Sequence, residues 1–503
     1  MDTILAAAVH IFEPMTLMVL IIGTVVGLFV GALPGLSSTM GVALCIPITF
    51  SMDPANALVL LGAIYTSSVF GGSVTAILLR TPGTDASIAT TFDGYPMAQR
   101  GQGAQAIGMA LVASLIGGLF SVVVLLFVAP PMSRLALLFG PQEYVYLTIF
   151  GMISILGVSG GVPVKALISA MLGLLMATVG FDLFTGYPRL TFGYDELFEG
   201  VPLLPALIGI FSVSQAISLC TGEAKIGTAN MISAKGKTLP SLKVLRRCAR
   251  TLVRSSFIGS IIGILPGAGT SVAAFISYDE ARRRSENPDA FGTGEIEGVA
   301  APEAANNAVT GGSLVPALTL GIPGNAVTAV FIGGLTIHGL VPGPRLFTEH
   351  SEVVYTLILS LFLGNLAFAA IGLFAAPWVS RVVKVPSTIL GPTIIIFSVI
   401  GSYALRNSMF DVWLVLGFGV LGYMMDRWLI PGAPLVIALV LGPILETNLR
   451  RSLQISGGDW MVFFTSPLSY VIIALIVLTL AYPFISRLRQ RSGRRIEQED
   501  GSS

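Results

Sequence analysis

Runs without a single charged side chain decide what this chain can fold into. Pro14 to Met52 covers 39 residues, Pro54 to Leu79 covers 26 and Gly101 to Ser133 covers 33 with no Asp, Glu, Lys or Arg. A helix needs about 20 mainly apolar residues to cross hydrocarbon. Further runs from Tyr144 to Val164, Gly200 to Gly222, Ser255 to Tyr278, Ala304 to Pro344, Val353 to Ser380, Val385 to Leu405 and Met461 to Ser486 extend the pattern. Together they predict an all-α polytopic membrane protein with about 11 or 12 embedded helices. Their unbroken apolarity argues against a β-barrel, whose strands alternate over about ten residues. Charged residues make up only 11% of the chain and hydrophobic ones 54%, which excludes a soluble multidomain enzyme and a disordered chain. A net charge of +1 leaves no basic footprint for nucleic acid. Cys45, Cys220 and Cys248 are too few and too scattered for a disulfide framework or a zinc cluster.

The few charges give an orientation. Glu223 to Arg254 carries eight Lys and Arg against one acid, and Arg487 to Arg495 holds five arginines. Both segments are expected on the cytoplasmic side. The first 14 residues contain no Lys or Arg, only Asp2 and Glu13, which points the N-terminus outward and argues against a cleaved signal peptide. Asp182, Asp195, Glu196 and Glu199 outnumber Arg189 in the segment before Val201, again an outside pattern.

An internal repeat turns this list of spans into an architecture. Gly27-Leu-Phe-Val-Gly31-Ala-Leu-Pro34-Gly35 returns as Gly259-Ser-Ile-Ile-Gly263-Ile-Leu-Pro266-Gly267, an offset of 232. Gly71-Gly72-Ser73 returns as Gly311-Gly312-Ser313 at an offset of 240, and Pro82-Gly83-Thr84 as Pro323-Gly324-Asn325 at 241. The expected organisation is an outward N-terminus over 1–14, a first repeat over 15–220, a basic cytoplasmic linker over 221–254, a second repeat over 255–405, additional spans over 406–486 and a basic, then polar, cytoplasmic tail over 487–503. One half starts after an outward terminus and the other after the cytoplasmic linker, so the two repeats are expected to have inverted topology, a pattern of secondary transporters.

Each repeat sets Pro-Gly in the middle of a charge-free run, with hydroxyl residues next. Proline removes an amide donor and glycine permits unusual backbone, so Pro34-Gly35 and Pro266-Gly267 should break or turn their helices. Such breaks persist in a membrane only inside protein or along a wet cavity. The new helix starts at Ser37, Ser38 and Thr39, or at Gly269, Thr270 and Ser271, would offer free amides to a carboxylate. Carbonyls and hydroxyls near Gly35, Ser38, Gly267 and Thr270 would suit Na⁺. A plain proline kink satisfied by neighbouring Ser and Thr is the structural alternative.

In the second half Glu303, Asn306, Asn307 and Thr310 stand at i, i+3, i+4 and i+7 on one helical face. The glycine register sets Thr66 and Ser67 opposite Asn306 and Asn307. Intramembrane polar groups face a bundle interior or a pathway, and hydrogen bonding between helices competes with a binding role for each. Ser73 with Ser313, and Thr81 and Gly83 with Gly324, Asn325 and Thr328, complete the candidate set. Arg80 fits a substrate carboxylate, an interface, or pairing with Asp85 or Asp93. His10, His338 and His350 have no metal-ligand spacing, and neither a His-Glu-x-x-His helix, a Gly-x-Ser-x-Gly elbow nor a Walker loop occurs. Gradient-driven transport therefore stands ahead of catalysis.

The combination Gly31-Ala-Leu-Pro-Gly35, Gly71-Gly-Ser73, Asp93-Gly-Tyr-Pro96, Gly263-Ile-Leu-Pro-Gly267, Glu303-Ala-Ala-Asn-Asn307, Gly321-Ile-Pro-Gly324 and His338-Gly-Leu-Val-Pro-Gly343 resembles the large membrane subunit of the tripartite tricarboxylate transporter (TctA) family over nearly the whole chain. The resemblance implies a bacterial inner-membrane uptake system for tricarboxylates or related organic acids. It also implies a periplasmic substrate-binding protein and a small membrane subunit as partners, no cofactor, and Na⁺, or H⁺, as coupling ion. A permease working without a receptor is the nearest alternative, and a membrane-embedded enzyme acting on a lipid a remote one.

Overall fold

The computed structural model describes residues 2–33, 35–158, 163–222, 238–267, 269–382 and 385–480. Its helices, in order, are α1 (Asp2–Ile11), α2 (Pro14–Ala32), α3 (Ser38–Thr49), α4 (Pro54–Leu79), α5 (Thr91–Gln99), α6 (Gly103–Ala136), α7 (Pro141–Val158), α8 (Pro163–Ala177), α9 (Leu203–Leu207), α10 (Ser214–Cys220), α11 (Leu242–Ile264), α12 (Gly269–Arg284), α13 (Glu297–Leu320), α14 (Ala326–Ile337), α15 (Pro344–Glu349), α16 (Ser351–Val382), α17 (Ser387–Arg406), α18 (Met409–Arg427) and α19 (Gly432–Ile455), followed by α20 (Pro467–Leu480). A π-helical stretch, Ile208–Val213, joins α9 to α10. Among the described residues the strands are a single antiparallel pair, Gly180–Phe181 with Pro188–Arg189.

Among the described residues eight helices are long and apolar enough to cross a bilayer, and Ser38–Thr49, Pro163–Ala177, Ala326–Ile337 and Pro467–Leu480 are shorter apolar helices. A 12-residue helix such as α3 or α14 reaches only about 18 Å, well short of the roughly 30 Å of hydrocarbon. α11 begins at Leu242, so the linker expected over 221–254 ends in helix that continues without interruption through Arg254.

Two helices form the centre. Every residue of α4 from Ala55 onward is buried, as is every residue of α13 from Gly298 to Leu320. Both are buried on all sides inside the bundle, α2 and α16 covering α4 while α6, α11 and α12 cover α13. α7, α8 and α19 form a neighbouring group, and α17 and α18 pack on α10 and the π-helical stretch.

Glycines set the spacing of both central pairs. A Cβ on Gly27 would stand 2.6 Å from the Ile64 carbonyl oxygen and one on Gly71 2.5 Å from that of Leu28, while one on Gly31 would collide with Ser68. In the second half a Cβ on Gly259 would meet Ala305, one on Gly263 would lie 2.9 Å from the Val309 oxygen, and one on Gly312 2.6 Å from the Ser260 oxygen. Small residues let backbones approach this closely in a membrane. The contacts match at an offset of 232 on the outer helices and 241 on the central ones. The packing therefore corrects the register drawn from the Gly-Gly-Ser motif by one residue, setting Tyr65 and Thr66 opposite Asn306 and Asn307. The reason is that backbone approach, and not motif identity, fixes which glycine faces the partner helix.

Candidate functional site

Both Pro-Gly segments interrupt helices where proline and glycine demand it. α2 ends at Ala32, Gly35 takes φ 87°, and Ser37 caps α3 by accepting from the Met40 amide at 3.1 Å. Pro34 lies outside the described residues. α11 ends at Ile264, with Gly267 at φ 81° and Gly269 at φ 68° leading into α12. Downstream, α4 closes on Arg80 and α13 on Gly321, both left-handed at φ 57° and 70°. After this second corner the halves differ. Asn325 starts α14 with a capping box to Thr328, whereas Thr84 is followed by a short 3₁₀ turn, Asp85–Ser87.

Within each half the two interruptions touch. A Cβ on Gly83 would meet the Gly31 carbonyl oxygen, and one on Gly324 would stand 3.0 Å from that of Gly263. The Gly267 amide donates to the Gly324 carbonyl at 2.8 Å. These positions admit only glycine because backbone passes over backbone.

Between the halves the contacts are crosswise. The Asn325 side-chain amide donates to the Tyr65 hydroxyl at 2.8 Å, and that hydroxyl lies 3.0 Å from Ser313 Oγ. Asn306, which occupies the Tyr65 position in the second half, donates from Nδ2 to the Ala86 carbonyl at 3.3 Å. Ala86 lies in the 3₁₀ turn after Gly83, and Asn325 caps the helix that follows Gly324. Each central helix thus makes a hydrogen bond to the segment after the other half's interruption.

Glu303 is the polar hub. Its fully buried carboxylate accepts from Ser73 Oγ at 2.6 Å, Ser114 Oγ at 3.0 Å and the Thr90 hydroxyl. Ser73 and Thr84 each reach Ser87 at 3.2 Å. A carboxylate surrounded by neutral donors satisfies the demand that buried polar atoms be hydrogen-bonded. Asn307 Nδ2 donates to Asn306 Oδ1 at 2.7 Å and to the Glu303 carbonyl at 3.2 Å, while its own Oδ1 is buried without a hydrogen-bond partner.

The structure therefore brings together Ser73, Gly83, Gly267, Asn306, Asn307, Ser313, Gly324, Asn325 and Thr328. Thr66, Ser67 and Thr310 instead return their hydroxyls to carbonyls of their own helix, a common resting place for hydroxyls in helices. Thr81 bonds locally to Leu79. Ser38 and Thr39 are buried at the start of α3, and Thr270 and Ser271 half-buried at the start of α12. Among the described residues no group of three His, Cys, Asp or Glu is placed to hold a metal ion.

Sequence reasoning left Tyr65, Thr90 and Ser114 out of the site and did not single out Glu303 as its hub. Glu303 stood on the polar face with Asn306, and Tyr65 emerges once the register is corrected. Thr90 and Ser114 carry no motif. Asp93 does not pair with Arg80, since its buried carboxylate accepts from Tyr278 Oη at 2.7 Å and from the amides of Gly292, Gly294 and Glu295 at 2.7 to 3.0 Å. The Arg80 guanidinium lies 5.8 Å over the Tyr95 ring instead.

A family model described as the tripartite tricarboxylate transporter TctA family matches residues 17–437. An uncharacterised 52.8 kDa protein in the TAR-I ttuC' 3' region of Agrobacterium vitis is 36% identical over 490 residues, covering 97% of each chain. An uncharacterised protein in the TAR-II ttuC' 3' region of the same organism is 38% identical over 243 residues, 48% of this chain and 100% of that protein. No solved structure matches the chain.

Proposed function

The chain belongs to the tripartite tricarboxylate transporter TctA family, and from that membership we propose that it is the translocation subunit of a receptor-dependent secondary transporter for tricarboxylates or related organic acids. It works in a bacterial inner membrane, with its N-terminus periplasmic and its C-terminus cytoplasmic. A periplasmic binding protein delivers the substrate, and a small membrane subunit completes the complex.

The crosswise pairing of Tyr65 with Asn325 and of Asn306 with Ala86 carries this reading. Two related halves that hold each other's interrupted segments supply the paired elements that alternating access requires. In this scheme the halves have inverted topology, and the starts of α3, α12 and α14 offer amides to the substrate carboxylates. The unpartnered Oδ1 of Asn307 favours a cation close by. Na⁺ would take that oxygen together with carbonyls and hydroxyls near Gly35, Ser38, Gly267 and Thr270. If H⁺ is the coupling ion, Glu303 is the group that carries it.

The test is citrate uptake into proteoliposomes holding this chain and the small subunit, with the binding protein outside and an inward Na⁺ or pH gradient imposed. Uptake is expected to need all three proteins and a gradient; uptake by this chain alone at the same rate would overturn receptor dependence. Folded Asn306→Ala and Ser38→Ala proteins with unchanged ion dependence and substrate affinity would overturn the site.

A further inference from the structure

We propose that the cavity beside Arg80 is a carboxylate-binding vestibule on the cytoplasmic face, separate from the buried network around Glu303; the cytoplasmic placement and the link to transport rest on the function proposed above.

Four observations converge. Arg80 takes the left-handed corner at the end of α4, φ 57°, where the second half uses Gly321 at φ 70°. That conformation costs an L residue and not glycine, so the repeat's own solution is the relaxed one, and the first half departs from it to place a guanidinium here. The cavity beside this corner has a volume of about 660 Å³ and is lined by Arg80 and Arg282, with Phe92, Tyr95 and Phe275 on its walls. Asp279, the acid among its lining residues, is 3.7 Å from Arg283. The Arg80 guanidinium lies 5.8 Å over the Tyr95 ring, and Arg282 Nε donates to the Pro288 carbonyl at 3.3 Å. Planar guanidinium groups are suited to carboxylates.

Position gives the cavity a side. α12 ends in Arg282, Arg283 and Arg284. The segment that wraps Asp93 includes Glu295, which pairs with Arg247 of the basic start of α11 at 2.9 Å. This is the basic end that the positive-inside rule puts in the cytoplasm. The cavity at the equivalent corner, about 450 Å³ and lined by Gly321, Tyr144, Pro342 and Asn448, has no charged side chain among its lining residues. The repeat thus built two corners, and only the cytoplasmic one carries cations. Aromatic walls with cationic ends suit an organic acid that must leave the neutral interior for water.

A cysteine reporter tests this. Gln99 is exposed and lines the cavity; Gln99→Cys in a Cys220→Ser background, within the membrane complex in inside-out vesicles, is labelled with an impermeant maleimide. Citrate is expected to slow labelling by about threefold or more, and Arg80→Gly, which relaxes the corner, is expected to abolish the protection. Arg282→Gln should weaken it. No protection by citrate, or equal protection in Arg80→Gly, overturns the proposal. Protection that follows anionic lipid content and ignores citrate overturns it too, assigning the cavity to lipid phosphate. Citrate counterflow in the same vesicles reads the transport function separately: protection without counterflow defeats that reading and leaves the anion site standing.

Discussion

Tyr65 and Asn325 meet across the two halves of the protein, the Asn325 side-chain amide donating to the Tyr65 hydroxyl at 2.8 Å deep in the bundle. Tyr65→Phe removes the acceptor while keeping the ring. It leaves the Asn325 amide buried and unpaired, which costs about 1–3 kcal/mol. A lowered thermal midpoint in detergent and slower citrate counterflow are the expected outcomes, and a variant unchanged in both would deny the contact any role.

Glu303 gives a sharper contrast. Glu303→Gln keeps shape and oxygen, and the hydroxyls of Ser73, Thr90 and Ser114 can rotate to suit an amide, so the protein should fold with a midpoint close to that of the parent. Glu303→Ala strips three buried hydroxyls of their shared acceptor and should destabilise by roughly 3 kcal/mol or more. Thermal unfolding of both, side by side, checks the prediction. Equal midpoints would mean that the hub is not a structural centre.

The glycine seams should tolerate no side chain. Gly31→Ala and Gly259→Ala press a methyl group into the carbonyls of Ser68 and Ala305 and should each cost about 1–3 kcal/mol or more through overpacking. Gly417 is the control, a helical glycine in α18 with nothing within 4 Å of the place a methyl group would take. Gly417→Ala should leave stability unchanged or slightly raised. Yield of folded protein in size-exclusion chromatography separates the two groups.

At the strand pair beyond α8, pH enters. The amides of Thr185 and Phe184 hold the Asp182 carboxyl well below the usual carboxylate range, and Arg450 at 2.6 Å adds to the effect. Because the folded state lowers this pKa, its stabilising contribution is present above about 3.9, the unfolded value. It fades as pH falls from there toward the folded value. Asp182→Asn should therefore melt below the parent at pH 7, with the gap closing under acid conditions. A constant gap from pH 7 to pH 3 would contradict the assignment.

Much of this was legible in the sequence because membranes impose simple rules. Uncharged runs located α2, α4 and α6, and the doubled Pro-Gly motifs located the interruptions after Ala32 and Ile264. Ser73 and Asn306 stand in motifs the sequence displays, and the structure sets Ser73 against Glu303 and Asn306 against Ala86. The register of α4 against α13 was not legible. Repeated Gly-Gly-Ser triplets look like an anchor, but helices seat on whichever glycine lets a carbonyl through, and Gly71 answers to Gly312. Thr90 and Ser114 could not be found for a related reason. A lone hydroxyl residue reads the same whether it returns to its own helix, as Thr66 does, or reaches a carboxylate on another.

The crosswise pinning has a consequence for leakage. A carrier that opened to both sides at once would run down the gradient it depends on. In this molecule the segment after each half's interruption is latched onto the buried central rod of the other, Asn325 onto Tyr65 and Ala86 onto Asn306. Each rod that seats one latch leads into the segment that forms the other, α4 into Ala86 and α13 into Asn325. If the two segments are the doors of the transport proposed above, they share one frame and mutual exclusion needs no separate lock.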